Sequence, residues 1–167
     1  MMLAYVLVQA TPGKFNGALD NIKNLPFVLR ASVVFGPVDI LAKVRGENFD
    51  ETVTSILKIL GTEEVLKTTT SLVVDKEPED LEKERESAYA YVFATATAKT
   101  GQDVLKAVRG RQVRSAKARN CHYILGEYDF VFEVQSDSLS DLKSLIQEIQ
   151  TYVDGITGTT TMITSPP

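Results

Sequence analysis

Gly126-Glu127-Tyr128-Asp129 repeats, ninety residues further along the chain, the segment Gly36-Pro37-Val38-Asp39. Two more pairs of segments match in the same order on either side of it: Ala4-Tyr5-Val6 with Ala90-Tyr91-Val92, and Thr68-Thr69-Thr70 with Thr159-Thr160-Thr161. These two offsets are 86 and 91 residues, and a few insertions account for the drift. Ordered matches at a steady offset indicate two copies of one structural unit.

Each copy has the pattern of six elements in the order strand, helix, strand, strand, helix, strand. In the first copy, β-rich apolar runs predict strands at residues 3–10, 28–35, 39–45 and 69–75. The second copy repeats this order. Its last helix is predicted to begin at Ser138, because Asp141 follows three residues later in a variant of the capping box.

The helices of the first copy follow from apolar residues at helical spacing. The first helix runs from Lys14, and Pro26 ends it because proline lacks the N–H that a helix interior needs. The second helix spans residues 49–60, and either Asn48 or Asp50 has the side chain of an N-cap.

The order βαββαβ is that of the ferredoxin-like motif. The chain is therefore predicted to be α+β, with two tandem ferredoxin-like repeats of the dimeric α/β-barrel type. We expect a first domain at residues 1–75, an acidic connector at 76–88 and a second domain at 89–167. Both helices of a repeat lie on one face of its sheet. The two uncovered faces of one chain are then expected to pack together as a pseudo-dimer.

Successive strand residues point to opposite faces of a sheet. The third strand of each copy is therefore expected to turn its apolar residues toward the helices: Ile40, Ala42 and Val44 in the first copy, Phe130, Phe132 and Val134 in the second. Lys43 and Glu133 occupy equivalent positions on the other face, with opposite charge. Either they favour pairing of unlike repeats within one chain, or both are solvated residues whose charges contribute little.

Composition and charge exclude several classes of protein. The hydrophobic fraction of 44% and the charged fraction of 24% are ordinary for a globular protein. No apolar run approaches the roughly 20 residues that cross a bilayer, and the first residues lack the basic start of a signal peptide. The single cysteine cannot form an intramolecular disulfide. These features predict a cytoplasmic protein without a membrane partner, and the net charge of −4 does not favour nucleic acid.

Four short motifs stand in a fixed order: Ala-Tyr-Val-Leu-Val from residue 4, Pro-Gly-Lys from residue 12, Gly-Glu-Tyr-Asp from residue 126, and Thr-x-Thr at the entry to the last strand. In this order they resemble the effector-binding (RAM) domain of the leucine-responsive regulatory protein/AsnC family. The resemblance covers both repeats, which is nearly the whole chain apart from the connector. Members usually carry an N-terminal helix-turn-helix, but the first strand here begins at about residue 3 and leaves no room for one.

The resemblance implies a duplicated effector domain that assembles into oligomers and binds small ligands, commonly amino acids, near the Gly-x-Tyr-Asp turn. Carried over to this chain, the ligand-binding residues are Gly126, Tyr128 and Asp129. In the first copy only Gly36 and Asp39 match, because proline and valine replace the residues between them. The simpler interpretation of both aspartates is turn capping.

His122, the only histidine, adjoins the only cysteine, Cys121. On a strand at residues 118–125 these two side chains point to opposite faces, so they cannot form a catalytic dyad. His122 is expected to face the junction between the repeats as a hydrogen-bonded histidine; the alternative is contact with a ligand or a haem in a barrel-type enzyme. Cys121 is expected to be a small buried core residue. The sequence has no set of residues at the spacing of metal ligands, no glycine-rich phosphate loop and no nucleophile motif. We therefore predict that the protein binds no metal or cofactor and is not an enzyme.

Residues 99–119 hold seven Lys or Arg and one acidic residue. Such a stretch either binds phosphates, with steep salt dependence, or docks an acidic partner, including the connector of a neighbouring chain. The acidic protein as a whole and the lack of interleaved aromatic residues favour docking.

The sequence therefore predicts a sensor protein that binds a small effector, for example an amino acid, and acts through homo-oligomers or through assembly with related helix-turn-helix regulators. A dimeric α/β-barrel enzyme, either an oxygenase or a haem-related protein that uses the cavity between the repeats, is the first alternative. A nucleic-acid binder that uses residues 99–119 is the second. Fold-level analogy alone does not rank these alternatives.

Overall fold

A computed structural model describes residues 1–75, 88–97 and 101–164. All but the last residue of the predicted connector, and Lys99 of the basic stretch, lie outside the described residues. The chain forms two compact units. The first comprises Met1–Val74 with Leu125–Glu127, and the second comprises Asp75–Ile124 with Tyr128–Pro167.

The first unit contains the six predicted elements in the predicted order: β1 (Met2–Ala10), α1 (Phe15–Lys23), β2 (Val28–Phe35), β3 (Ile40–Gly46), α2 (Phe49–Leu60) and β4 (Val65–Val73). Its strands form an antiparallel sheet in the order β4-β1-β3-β2. This is the ferredoxin-like arrangement, in which the first and third strands lie in the centre.

The second unit repeats the arrangement with one addition: β5 (Ala88–Ala96), α3 (Gly101–Val108), β6 (Gln112–Val113), β7 (Ala116–Leu125), β8 (Phe130–Ser136), α4 (Leu139–Tyr152) and β9 (Ile156–Thr164). Its strand order is β9-β5-β8-β7-β6, again antiparallel. The predicted α+β class with ferredoxin-like repeats is confirmed.

Each unit has its own hydrophobic core between its helices and one face of its sheet. The third-strand residues predicted to face the helices are all in these cores: Ile40, Ala42 and Val44 in the first unit, Phe130, Phe132 and Val134 in the second. The helices contribute Ala18, Ile22 and Ile59 in the first unit and residues such as Val104, Leu145 and Ile149 in the second. Burial of these side chains holds each helix pair on its sheet.

The structure differs from the sequence-based prediction at two strands. β4 begins at Val65, four residues before the predicted start, because the chain pairs with β1 directly after the turn that ends α2. The short strand β6 was not predicted. This strand pairs with β7 across a tight turn in which Arg114 has a positive φ of 53°. The sequence did not predict the turn, because arginine is not a typical residue at such a position.

A bulge interrupts β7 next to the only histidine. The register with β8 shifts between Arg119 and His122, and Asn120 has a left-handed φ of 44°. The extra residue changes which residues point toward the helices: Ala116 and Ala118 lie in the core before it and Cys121 after it. Cys121 and His122 therefore do lie on opposite faces, and His122 is directed away from the helices.

The two longer helices begin at N-caps, Asn48, which is one of the two candidates for α2, and the predicted Ser138 for α4. The Asn48 side chain accepts a hydrogen bond from the Glu51 N–H at 3.0 Å, and the Ser138 hydroxyl accepts one from the Asp141 N–H at 3.1 Å. Asp141 also accepts hydrogen bonds from the hydroxyl of Ser115 at 2.6 Å and from its N–H at 3.3 Å. The Ser115 hydroxyl is the largest cause of a lowered pKa for the Asp141 carboxyl, because it stabilises the charged form.

We expect Ser115→Ala to destabilise the protein above the ordinary aspartate pKa, which is near 3.8, since the ionised Asp141 then loses a donor. A carboxyl with a lowered pKa contributes stability above its unfolded pKa, and this stability is lost as the pH falls through the folded pKa. The difference in melting temperature between Ser115→Ala and the wild type should therefore narrow below about pH 4. Ser115→Thr keeps the hydroxyl and serves as the control. A difference that persists unchanged to about pH 2, below the usual range of aspartate pKa values, would contradict this assignment.

Candidate functional site

The second unit has its helices on one face of the sheet, and side chains from four strands share the opposite face. The strand register places them in two rows: Arg119, Glu133, Tyr91 and Met162 in the first, and His122, Val131, Phe93 and Thr160 in the second. Residues directly opposite on paired strands point to the same side of a sheet. We call these eight residues the helix-free face. Most of them are buried.

His122 is held in one orientation by a carboxylate from a distant part of the sequence. Its side chain is 1% exposed, and its Nδ1 lies 2.8 Å from Oδ1 of Asp75. An ionised carboxylate only accepts hydrogen bonds, so the imidazole Nδ1 is the donor of this pair when Asp75 carries its charge. This arrangement of carboxylate and imidazole is the one that orients a general acid–base in hydrolases.

Asp75 is itself fixed by the backbone and by an arginine. Its Oδ2 accepts a hydrogen bond from the Tyr123 N–H at 2.8 Å and lies 3.9 Å from the Arg109 guanidinium. Arg109 also donates to the Cys121 carbonyl at 3.3 Å. Helix α3, which ends next to Arg109, is thereby tied to the strand that carries the histidine.

A second buried carboxylate lies in the neighbouring row. Glu133 is 2% exposed and accepts hydrogen bonds from the Tyr89 hydroxyl and from the Asn120 side-chain amide, the latter at 2.7 Å. The bulge that turns Asn120 into a left-handed conformation is what brings this amide to Glu133. Lys43, the equivalent residue of the first unit, is 5% exposed. The interpretation of Lys43 and Glu133 as solvated strand residues is therefore wrong.

Cys121 lies in the helix-side core of the second unit, and burial raises the pKa of its thiol to about 12. A thiol with that pKa is protonated at neutral pH and is a poor nucleophile. The cysteine thus supports packing, and the acid–base groups of the helix-free face are the ones suited to chemistry.

The aspartates of the two matching turns have the same structural contacts. Asp39 accepts a hydrogen bond from the Ala10 N–H at 2.9 Å, and Asp129 accepts one from the Ala96 N–H at 2.9 Å. In both units the strand register shifts beside that amide. Each aspartate therefore satisfies an N–H at an irregular strand end, which is the turn-capping interpretation of these residues.

The remaining predicted ligand residues lie in the same turns. Gly36 and Gly126 follow β2 and β7, and both are exposed. A Cβ atom on Gly126 would lie 3.0 Å from the Thr70 carbonyl oxygen, which explains the glycine. Tyr128 donates a hydrogen bond to the Thr160 hydroxyl at 3.2 Å, and its ring centroid lies 5.3 Å from that of Phe93. Tyr128 therefore contacts the helix-free face, whereas the aspartates are engaged with the backbone. Ligand binding at these turns stays a prediction.

The basic stretch is partly neutralised within its own unit. Arg111 forms an ion pair with Glu148 at 3.0 Å, and Arg114 lies 3.6 Å from Asp141. These contacts leave less positive charge for an acidic partner or a phosphate than the count of basic residues indicated. Within the described ranges, no group of three or more His, Cys, Asp and Glu side chains is placed to hold a metal ion. No helix in the described part of the chain is long and apolar enough to cross a membrane.

Sequence reasoning placed His122 and Glu133 on the face away from the helices but missed the residues that contact them: Asp75, Tyr89, Arg109 and Asn120. Asp75 is 47 residues from His122 in the sequence and was assigned only to a strand end. The bulge at Asn120 has no sequence signal. The one available hint was the opposite charge of Glu133 and Lys43 at equivalent positions.

Comparison with known families gives a double match. The model of the Lrp/AsnC ligand binding domain matches residues 3–81 and again residues 91–165. The duplicated resemblance that the short motifs indicated is thereby confirmed. No curated protein matches the chain. Among solved structures, a crystal structure of a Thermus thermophilus protein is 30% identical over 47% of this chain and 100% of its own, with a TM-score of 0.44.

Two further solved structures match nearly the whole chain. The siroheme decarboxylase NirDL in complex with an iron-uroporphyrin III analogue covers 98% of this chain and 70% of its own, at 10% identity and a TM-score of 0.70. A mutant chlorite dismutase from Candidatus Nitrospira defluvii covers 99% of this chain and 90% of its own, at 12% identity and a TM-score of 0.62. At these identities the likeness establishes the fold, and the predicted dimeric α/β-barrel type is confirmed.

The prediction that the chain is not an enzyme is wrong, because the structures that match almost its full length are those of enzymes. The prediction rested on the scarcity of catalytic side chains in the sequence. It did not anticipate that the fold brings Asp75 to His122.

We expect Asp39→Ala to lower the free energy of unfolding by about 1–3 kcal/mol, because it leaves the Ala10 N–H without its acceptor. Asp129→Ala should cost less, since its hydrogen bond is exposed and water can replace the carboxylate. Urea unfolding followed by circular dichroism measures both, with Asp39→Asn as the control that keeps an acceptor oxygen. Equal and negligible effects of the two alanine variants would refute the capping role.

Proposed function

The chain belongs to the Lrp/AsnC ligand-binding domain family, and we propose that it is an enzyme that converts a carboxylate-bearing small molecule on the helix-free face of its second unit. The observation that carries this proposal is the buried His122, whose Nδ1 is held at 2.8 Å by Asp75. A histidine oriented in this way is suited to transfer a proton through Nε2.

The class of substrate is proposed from the charges beside the histidine and from the enzymes that share the fold. Arg119 lies on β7 three residues before His122, and Arg109 lies beside Asp75. Guanidinium groups recognise carboxylates with paired hydrogen bonds. An iron tetrapyrrole with carboxylate side chains, as in the NirDL complex, is therefore the first substrate to test.

The proposed reaction is decarboxylation. Loss of carbon dioxide from a side-chain carboxylate leaves an electron pair on carbon, and that carbon then accepts a proton to complete the C–H bond. His122, after taking up a proton from water at Nε2, is proposed to deliver this proton to the carbon, with Asp75 stabilising the protonated ring until it does. Because the imidazole is buried in this structure, the side chains around it must move to admit a substrate.

We expect the purified protein to bind an iron-uroporphyrin or siroheme probe, which a shift in the visible absorption of the probe would show. We also expect it to remove carbon dioxide from the probe, which the lower mass of the product would show. His122→Ala should lower the rate by about 100-fold or more, because a positioned general acid contributes roughly that much. Asp75→Asn should lower the rate less, because the imidazole keeps a hydrogen-bond partner and loses only the negative charge of the carboxylate.

The first unit supplies a matched control. Ser32 is paired with Leu41 in β2 and β3 as His122 is paired with Val131 in β7 and β8. Ser32→Ala should leave the rate unchanged. Turnover that survives His122→Ala would refute the role of the histidine, and a protein that neither binds nor converts the tetrapyrrole probes would refute the substrate class.

A second candidate function is favoured by the family match to both repeats. In it, a small effector such as an amino acid binds near Gly126, Tyr128 and Asp129 and changes the assembly of the chain with itself or with related helix-turn-helix regulators. Coupling of this kind requires that the effector bind one assembly state better than another.

We expect native mass spectrometry with a panel of free amino acids to detect a bound effector or a changed subunit number if this second function exists. Tyr128→Ala should weaken the response, because Tyr128 is the predicted ligand residue that contacts the helix-free face. An assembly that is indifferent to every amino acid would exclude the amino-acid effector and leave the enzymatic proposal untouched.

A further inference from the structure

The residue directly before the last strand differs between the two units, although its backbone has the same role. In the first unit the Glu64 carbonyl accepts a hydrogen bond from the Thr11 N–H at 2.8 Å. In the second unit the Gly155 carbonyl accepts one from the Thr97 N–H at 2.9 Å. Both residues have a positive φ, 72° for Glu64 and 97° for Gly155. Glycine adopts this conformation freely and glutamate does not, so the contacts of the glutamate side chain must offset the strain.

The Glu64 carboxylate lies on the first turn of α1. A Cβ atom on Gly17, the third residue of that helix, would clash with Oε2 of Glu64. The other oxygen, Oε1, is 3.8 Å from the ammonium group of Lys14, the N-cap residue, whose own side chain does not cap the helix. A carboxylate at this end of a helix is stabilised by the N–H groups of the first turn and by the helix dipole.

The second unit has its acidic residue on the helix itself. Helices α1 and α3 align at an offset of 86 residues, at which their buried side chains match: Ala18 with Val104, and Ile22 with Val108. At this offset Gly17 corresponds to Asp103, which lies in the first turn of α3. Glycine and acid have therefore exchanged places between the units. Because Gly155 has no side chain, it cannot connect the last strand of its unit to the first helix as Glu64 does.

The turn that the sequence predicts to bind a ligand lies beside this hydrogen bond in each unit. Asp39 and Asp129 each accept the N–H directly before that of the threonine, at the ends of β1 and β5. We call the end of the first strand, the start of the last strand and this turn the corner of a unit. The turn of the first unit contains Pro37, whose ring fixes φ, where the second unit has Glu127. A glutamate side chain and a proline ring thus both restrict the first corner.

We propose that Glu64 is a latch that holds the corner of the first unit in one conformation, and that the second unit keeps its corner, with Gly126, Tyr128 and Asp129, adaptable. The latch joins the start of β4 to the start of α1, so its contact must break before these segments separate. Gly155 contributes only its backbone to the same junction. A ligand at the second corner therefore shifts the backbone at a lower cost. This last step rests on the second candidate function, whereas the latch itself does not.

Amide hydrogen exchange of the full-length chain without ligand tests the latch, because exchange reports local opening. Thr11 and Thr97 form a matched pair, since each follows an alanine and donates to the carbonyl before the last strand. Their intrinsic exchange rates are therefore alike. We expect the Thr11 amide to exchange at least about tenfold more slowly than the Thr97 amide, which corresponds to roughly 1.4 kcal/mol of local stability.

The variant Gly17→Ala opens the latch without changing Glu64, because the added Cβ takes the position of the carboxylate. Alanine is a better helix former than glycine, so a simple gain in helix propensity would slow exchange at Thr11. Loss of the latch accelerates it instead. The control is Glu63→Gln, which removes the same charge one residue earlier and should leave exchange at Thr11 unchanged.

A double variant distinguishes a latch from a helix cap. Glu64→Gly combined with Gly17→Asp gives the first unit the arrangement of the second. An acid is then back in the first turn of α1, but no side chain from position 64 joins β4 to the helix. Exchange at Thr11 should therefore be faster than in the wild type. Slow exchange at Thr11 in this variant would show that Glu64 acts only as a helix cap, and it would overturn the latch.

The remaining outcomes also decide. Slow exchange at Thr11 that Gly17→Ala abolishes and Glu63→Gln preserves supports the latch. Equal exchange of Thr11 and Thr97 in the wild type, or a Gly17→Ala variant with unchanged or slower exchange at Thr11, overturns it. Since these measurements need no ligand, an assembly that ignores every amino acid in native mass spectrometry would refute the amino-acid effector and leave the latch intact.

Discussion

The burial of alternate strand residues beneath two helices is the constraint on which each unit depends. In β3 it selects Ile40, Ala42 and Val44 for the core, and it leaves the residues between them, including Lys43, on the other face. The same division holds for β8 in the second unit. Because one face of each sheet packs against the helices, the polar side chains of these strands lie mainly on the opposite face.

The bulge in β7 modifies this rule at the position of His122. If strand alternation ran unbroken through residues 118–122, His122 would lie on the same side as Ala118 and would point into the core. With the bulge, Cys121 enters the core and the imidazole joins Glu133 and Phe93 on the helix-free face. The left-handed conformation of Asn120 costs conformational energy, and its amide offsets part of that cost by bonding to Glu133.

Duplication allowed the two units to diverge in complementary ways. The second unit carries the histidine, the buried glutamate and an α4 helix that buries Leu142, Leu145 and Ile149. The first unit has Ser32 where the second has His122, and its α2 helix carries apolar side chains outside. The structural contacts that hold both turns, through Asp39 and Asp129, are the same. The two units thus share their scaffold and differ in the side chains on their surfaces.

By itself the sequence determined the repeat, the order βαββαβ within each copy, the cap at Ser138, and which third-strand residues enter each core; it left Asn48 and Asp50 open as the cap of α2. These depend on local periodicity and on side chains within a few residues of each other, which a sequence records directly. Only the tertiary structure decided the surroundings of His122. Asp75 reaches it across 47 residues, and a bulge without a sequence signature brings Asn120 to the neighbouring Glu133. Contacts of that kind arise from the packing of the whole unit.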